Sequence, residues 1–347
     1  MEYVEVDGSQ GEGGGQILRT AVAFSAIQGR AVRVDRIRAG RDVPGLKRQH
    51  VSTLRILAQV FGGELTGARE GSSAVTFVPG DRRLQSLSLD MGTAASITLV
   101  LQAVVPAVAL THSRLRLSLV GGTDVPWSPT FDYFERVVQE TYKTVGIKFS
   151  MSAERRGYYP RGGGRVTTTI EPCTSLSPLN LISGGAVPDV SLVSRSGKLP
   201  EHVAERQLSA ARAVIEKSGI RVASSELSEV ESDSPGSSIL AYHLAAARFL
   251  GSDGLGAKGK PAEEVGRGAA ERFVTAVKSG AAIDANLADM LLPILSLAPG
   301  PSSVAVPSVT SHLQSGLELA GQFTGCKWTV EEREGNVVVG IHPKGGG

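Results

Sequence analysis

The 347-residue sequence predicts an α/β (α+β) protein made of three helix-and-sheet repeats around a pseudo-threefold, with a small α/β domain inserted in the third. Three observations predict it. A helix closing on glycine and followed by a strand recurs in AQVFGGELTG (58–67), YKTVGIKFSM (142–151) and GQFTGCKWTV (321–330), and glycine is the expected residue just past a helix end. Upstream of the first two closures the text matches again, VRVDRIRAGRDVPG (32–45) against LRLSLVGGTDVPWS (115–128), which marks a duplicated unit. Finally, Gly62 and Gly146 lie 84 residues apart, whereas Gly146 and Gly325 lie 179 apart, an excess of 95 residues that reads as an insertion.

Each unit reads as an apolar helix, an alternating strand, a Gly/Pro turn, a second helix, a glycine and two strands. The first helices are expected at 16–27, 94–110 and 286–298, where apolar residues recur at three- and four-residue spacing. Segments TFVPG, VTTTIEP and VVVGIHP read as closing strands. The insertion is placed at 184–277, leaving 1–183 and 278–347 as the body. Within or bordering it, 190–196 and 237–246 read as strands, and 201–219 and 262–280 as helices ending on Gly219 and Gly280. A body deprived of this module is expected to fold and keep its chemistry. With aromatics at 5% and 42 glycines, the core must rest on Val, Ile, Leu and Ala joined by tight turns.

A net charge of +2 neither demands nor excludes nucleic acid, so the distribution of charge has to decide. Cys173 and Cys326 stand far apart with no CxxC, which indicates neither a zinc site nor a disulfide framework. The longest apolar run, 97–110, is interrupted by Gln102 and Pro106 and is too short to span a bilayer. A cytoplasmic protein with no membrane partner is expected.

Chemistry gathers at four places. GSQGEGGGQILRT (8–20) sets five glycines before a helix, leaving amides open to an anion at the positive end of the helix dipole, or forming a tight turn. It is neither a Walker loop nor a Rossmann fingerprint. Glu12, among these glycines, is a solvated loop carboxylate or a metal ligand beside phosphates. Between Arg30 and Arg48 seven basic residues face two acids, marking an anion-binding face or a charged strand edge. Alternation places Arg36 and Arg38 on one face of a strand with Arg41 in the following turn, and Gln49 and His50 on the next helix. His312 falls near the start of the third unit's second helix, with Val309, Thr310 or Ser311 as cap. A helix N-terminus opposes a positive ring, which suits an imidazole that attacks phosphorus; the other reading is a packing or surface histidine of an amphipathic helix. His50 lies 12 residues before its closing glycine and His312 lies 13 before its own, so units related by a rotation would turn both toward one centre. Asp289 sits in the apolar NLADMLLP helix, where a buried charge needs a partner, and Gln102 is the polar residue inside the second unit's first helix.

Along nearly its whole length the chain resembles the RNA 3′-terminal phosphate cyclases, through DGSQGEGGGQILRT (7–20), IRAGRDVPGLKRQH (37–50), SITLVLQAVVPA (96–107), GGTDVPWSP (121–129), GYYPRGGG (157–164) and HVAERQ (202–207). That resemblance implies an architecture similar to enolpyruvyl-shikimate phosphate synthase. It also implies ATP, Mg²⁺ or Mn²⁺, and RNA with a 3′-terminal phosphate as cofactors and partners, and leaves a homodimer open. The reaction implied has three steps: a histidine takes AMP from ATP, AMP passes to the RNA 3′-phosphate, and the vicinal 2′-hydroxyl displaces it to leave a 2′,3′-cyclic phosphate. By motif position, His312 matches the adenylated histidine and Glu12 the metal-binding acid. Arg19, Arg38, Arg41, Gln49 and His50 match the RNA- and phosphate-binding set, and Gln102, Asn286, Leu287, Ala288, Asp289 and Met290 the nucleotide-binding set. The sequence departs from the family pattern at Ser315-Gly316, where a Thr-Asn pair is usual, and at Asn286 and Met290, where Tyr and Gln are usual, which bears on nucleotide preference. A non-catalytic cyclase-like RNA-processing factor would share the fold without the adenylated histidine, and an enolpyruvyl transferase would need no nucleophilic histidine.

Overall fold

A computed structural model describes residues 2–11, 13–81 and 83–344. The first unit runs through β1 (Val4–Asp7), α1 (Gly15–Gln28), β2 (Val32–Asp35), α2 (Arg48–Phe61), β3 (Glu64–Thr66) and β4 (Val75–Val78). β1 lies parallel to β2, while β2 and β3 both pair antiparallel with β4, giving the order β1-β2-β4-β3. α2 stops where Gly62 takes a left-handed φ of 59° and its N–H returns to the carbonyl of Ala58.

The second unit repeats this plan with β5 (Ser86–Asp90), α3 (Ile97–Leu110), β6 (Leu115–Gly121), then α4 (Phe131–Tyr133), a π-helical stretch Phe134–Val138 and α5 (Gln139–Thr144) as one continuous second helix, then β7 (Phe149–Arg155) and β8 (Gly164–Ile170). Its order, β5-β6-β8-β7, has the same parallel first pair and antiparallel remainder. A third unit opens at β9 (Asn180–Leu181) and is interrupted by β10 (Asp189–Gly197), α6 (His202–Lys217), β11 (Arg221–Glu229), β12 (Gly236–Ala245), β13 (Arg248–Leu255) and α7 (Ala262–Lys278). It resumes with α8 (Ala285–Leu291), β14 (Ser302–Val306), α9 (Ser311–Thr324), β15 (Lys327–Arg333) and β16 (Asn336–His342). Here β9 runs parallel to β14, and the order is β15-β16-β14-β9. The chain is thus a mixed α/β protein with a repeated four-stranded sheet.

Several sequence expectations change. Each unit begins one strand earlier than its helical signal, because the opening strands are short and β5 is only partly covered. The expected helix over 286–298 tightens into a 3₁₀ stretch at Leu292–Leu297, where Pro293 cannot supply the helical N–H. Arg36 and Arg38 do not extend a strand: β2 ends at Asp35, and both arginines take left-handed φ values, 52° and 56°. Arg36 turns outward onto Asp7, while Arg38 is buried. The two cysteines are buried and free.

The intervening sheet has the order β11-β10-β12-β13, so its first strand is central, whereas in each body sheet the first strand is an edge. Strand alternation explains its two faces. Val190 and Leu192 pack under α6 and α7 with Ala211, Ile215 and Phe273. Val193, Leu240 and Phe249 point the other way and join the main core. At Gly251 a Cβ would sit 2.7 Å from the ring of Tyr133 in α4 and 2.8 Å from Val137 in the π-helical stretch, so only glycine lets this sheet close on that helix.

Buried charge fastens the same interface. Asp132 accepts Arg156 Nη2 at 2.9 Å and Arg195 Nη2, from β10, at 3.4 Å. Arg156 also reaches Asp124 at 3.2 Å and lies over the Phe131 ring at 4.2 Å. Excision of 184–277 would remove Leu240 and Phe249 from the core and leave Asp132 without one of its cations. Removing one member of a buried ionic set strands the others in a low-dielectric interior. Asp132→Ala should lower the unfolding free energy by about 3 kcal/mol in urea titrations, whereas Arg33→Ala, at an exposed pair with Asp35, should change it by less than about 1 kcal/mol. Equal effects would remove the special standing of the buried set.

Candidate active site

A cleft of about 730 Å³ is lined by α1, α2, α3, α8, the start of α9 and the turn 126–129. Its floor is the N-terminus of α1. Gly14 is the cap residue and provides no side chain to satisfy the first-turn amides. A Cβ on Gly15 would lie 2.2 Å from His50 Nε2 and 3.0 Å from Arg19 Nη1, so the glycine is what admits both side chains. A Cβ at Gly14 would be 3.9 Å from Arg41 Nη2 and 4.0 Å from His312 Cε1, which places the helix start between those two groups.

His312 is the second residue of α9. Thr310 caps that helix, its Oγ1 accepting the Leu313 N–H at 2.9 Å and donating to Asp289 Oδ1 at 2.5 Å. Asp289, half-buried rather than fully enclosed, thus orients the cap of the helix that carries the histidine. Across the cleft Gln16 Nε2 donates to the carbonyl of His312 at 3.2 Å, tying α1 to the same turn. The atypical Ser315 and Gly316 fit locally: Ser315 Oγ donates to the Ser311 carbonyl at 2.8 Å, and Gly316 lies against Pro293.

Opposite, His50 Nδ1 accepts the Lys47 N–H at 3.1 Å, which leaves the proton of the neutral ring on Nε2, the atom facing Gly15. Burial first, then the cations Arg19, Arg38 and Lys47, depress its pKa to about 3. His50 is therefore a neutral donor. Arg19 is half-buried and burial lowers its pKa to about 10, so it stays a cation at neutral pH. Arg38 Nη1 donates to the carbonyls of Val43 (3.0 Å) and Gly45 (3.3 Å), and burial followed by the nearby Arg41 lowers its pKa. Arg41, Lys47 and Gln49 complete this wall.

Gln102, Asn286 and Met290 line the remaining side with Pro106. Pro106 has no N–H to return to the carbonyl of Gln102, four residues back in α3, so that carbonyl lacks its helical partner at the cleft. Leu287 and Ala288 are different. Both side chains are fully buried, and their N–H groups go to Asp284, Leu287 to Oδ1 at 3.0 Å and Ala288 to the carbonyl at 3.0 Å. They support α8 and do not line the cleft. Glu12 lies outside the described residues. Among the described residues no group of three or more His, Cys, Asp or Glu side chains is placed to hold a metal ion.

Three residues escaped the sequence reading. Asp284, the buried cap of α8, also accepts Tyr133 Oη at 2.7 Å and the Gly251 N–H at 2.9 Å, and burial pushes its pKa up to about 6 despite these bonds. An Asp directly before an apolar helical run is a recognisable start signal. Asp253, from β13, lines the cleft and accepts the Thr130 N–H at 2.7 Å. Trp127 stands at the rim. Nothing in a single sequence marks those two.

Comparisons with known proteins agree along the chain. A family model described as RNA 3′-terminal phosphate cyclase matches residues 10–330. A protein of that name from Caldivirga maquilingensis is 40% identical over 346 residues, covering 98% of each chain. Those from Thermococcus kodakarensis and Hyperthermus butylicus are each 42% identical, covering 96% of both chains and 91% and 90% of the two respectively. Among solved structures, the EPSP synthase of Acinetobacter baumannii gives a TM-score of 0.28 at 12% identity, spanning 94% of this chain and 62% of that one, too low a score to assign a shared fold.

The depressed pKa of His50 has a consequence for stability. An unfolded imidazole titrates near 6.5 and the folded one near 3, so the unfolded chain takes up the proton first as pH falls. The contribution of neutral His50 is full above about 6.5 and is lost on the way down to about 3. Urea midpoints of the wild type should therefore fall more steeply than those of His50→Gln through the upper half of that window. Parallel slopes would refute the assignment.

Proposed function

The chain belongs to the RNA 3′-terminal phosphate cyclase family, and on that premise we propose that the cleft carries out the ATP-dependent conversion of an RNA 3′-terminal phosphate to a 2′,3′-cyclic phosphate, with His312 as the residue that carries AMP. The observation that carries this reading is the meeting of His312, Arg41 and the uncapped amides of α1 within one cleft.

In the first step the His312 imidazole attacks the α-phosphate of ATP, a phosphoramidate bond forms and pyrophosphate leaves. The α1 amides and the arginine wall offset charge that grows on the phosphoryl oxygens. In the second step an oxygen of the RNA 3′-phosphate displaces the histidine, giving an RNA-adenylate. In the third the vicinal 2′-hydroxyl attacks the phosphorus of the RNA 3′-phosphate, loses its proton and breaks the anhydride bond, so that AMP leaves. Adenylation turns a poor leaving oxygen into a good one.

Gln102, Asn286 and Met290 form the nucleotide side, with Asp289 acting through the Thr310 cap. Arg19, Arg38, Arg41, Gln49 and His50 form the RNA-phosphate side. His50 contributes a neutral Nε2–H, so it adds a donor without raising the repulsion among three guanidinium groups. Mg²⁺ or Mn²⁺ fits this donor set, because such ions take most of their ligands from substrate phosphates and water and need only one or two carboxylates. By its motif position Glu12 is the side chain proposed to hold it, while Asp253 and Asp289 accept hydrogen bonds from Thr130 and Thr310. Bound there, the ion would neutralise triphosphate charge.

The same reading takes 1–183 with 278–347 as a body of three repeats around an approximate threefold and 184–277 as an insertion. All proposed residues come from one chain, so a homodimer is not required. Among the described residues no helix is long and apolar enough to cross a membrane, and a cytoplasmic location suits the RNA substrate.

Incubation with α-labelled ATP tests the first step. His312→Ala should retain no label on protein, while His50→Ala should keep at least part of it; equal labelling of wild type and His312→Ala would sink the assignment. Arg38→Ala and Arg41→Ala should weaken binding of 3′-phosphorylated RNA by about tenfold or more, the loss of one charge-assisted hydrogen bond, and of 3′-hydroxyl RNA much less. Equal weakening for both ends would mean a general backbone contact.

A further inference from the structure

Trp127 is 97% exposed, the most exposed of the large hydrophobic side chains among the described residues, and lines the same cleft as Arg41 and His312. Its backbone is also unusual. A φ of 67° places it in the left-handed region, which bulky side chains rarely adopt. Strain of that kind persists only where the surroundings enforce it, and here they do. Thr98 Oγ1 donates to the Pro129 carbonyl at 2.8 Å, Ser128 Oγ to the Val125 carbonyl at 2.8 Å, and the Thr130 N–H to Asp253 at 2.7 Å. The turn is fixed from α3 on one side and from β13 on the other, yet the indole it presents packs on almost nothing. No burial of the ring offsets the backbone strain or the exposed apolar surface.

A single exposed hydrophobic residue on a protein surface needs no explanation. A rigidly displayed indole at the rim of a phosphate-binding cleft is different, because a nucleobase offers the flat apolar face that such a ring takes up. Stacking of this kind tolerates any base, as an enzyme that reads only the end of a strand requires. We propose that Trp127 is a stacking platform for a base of the RNA substrate close to its 3′ end. This rests on the RNA-cyclising reading above. The adenine of ATP has the same chemistry, but a mononucleotide reaching His312 is enclosed by the cleft walls, whereas a strand must leave across the exposed rim.

The test uses Trp127→Asn, which removes the ring while tolerating the left-handed backbone, and Trp127→Phe, which restores an aromatic face. Protein-bound AMP formed without RNA should equal the wild type in both. KM for 3′-phosphorylated RNA should rise about tenfold in Trp127→Asn, the size expected for one base-aromatic contact, and recover in part in Trp127→Phe, with kcat little changed. Since Trp328 is the only other tryptophan, fluorescence in a Trp328→Phe background reports on Trp127 alone. RNA should quench it and ATP should not. An unchanged KM for RNA with no quenching overturns the proposal, and quenching by ATP together with a weakened AMP adduct reassigns the ring to adenine and overturns it equally. Quenching needs no catalysis, so a wild type that forms no adduct would defeat the proposed reaction while the platform is still decided by RNA titration.

Discussion

Everything at the cleft depends on how closely the start of α1 approaches its neighbours. Gly15 leaves room for the His50 ring and the Arg19 guanidinium, and Gly14 sets the helix start between Arg41 and His312. A side chain at Gly15 would separate α1 from α2 and so part the two walls. This closeness concentrates positive potential, from the helix dipole and from Arg19, Arg38 and Arg41, in one place. The protein limits the resulting repulsion by keeping His50 neutral. Burial and the neighbouring cations that depress its pKa make it a donor without charge.

Much of this was legible in the sequence, for identifiable reasons. Helices that end on left-handed glycines leave a strong local mark, so the repeat could be read from Gly62, Gly146 and Gly325. The opening strands could not, since β9 spans two residues and β5 is five residues long with none fully buried. In the intervening sheet β11 is largely exposed and polar and β13 is broken by glycines, so neither has a clear period. At the site, charge density found the arginines but not their geometry. Alternation put Arg36 beside Arg38, and two left-handed residues sent them opposite ways. Leu287 and Ala288 were grouped with their neighbours by motif, although the helix turns both inward. Asp253 and Trp127 depend on tertiary placement alone.

Asp284 shows how the parts are joined. It caps α8, takes a hydrogen bond from Tyr133 on the second unit's helix and another from the backbone of Gly251 in the intervening sheet. One carboxylate therefore joins three elements, two of which, α8 and β13, supply side chains to the cleft, and Asp253 lies two residues from one of those contacts. The module between β9 and α8 is part of the active-site support.

The interruption of the third unit also bears on how the chain assembles during synthesis. Leu179 and Ser302, whose hydrogen bond borders the β9–β14 pair, are separated by 123 residues, so that sheet is the last of the body to close. The delay has a modest thermodynamic cost, because closure entropy grows only with the logarithm of loop length, about 0.6 kcal/mol per doubling. The intervening module reduces it further. Its two ends meet where the Gly184 N–H bonds the Gly280 carbonyl at 3.0 Å, so once folded it shortens the effective tether to a few residues. The helix α9, which brings His312, is the last helix of the chain to leave the ribosome.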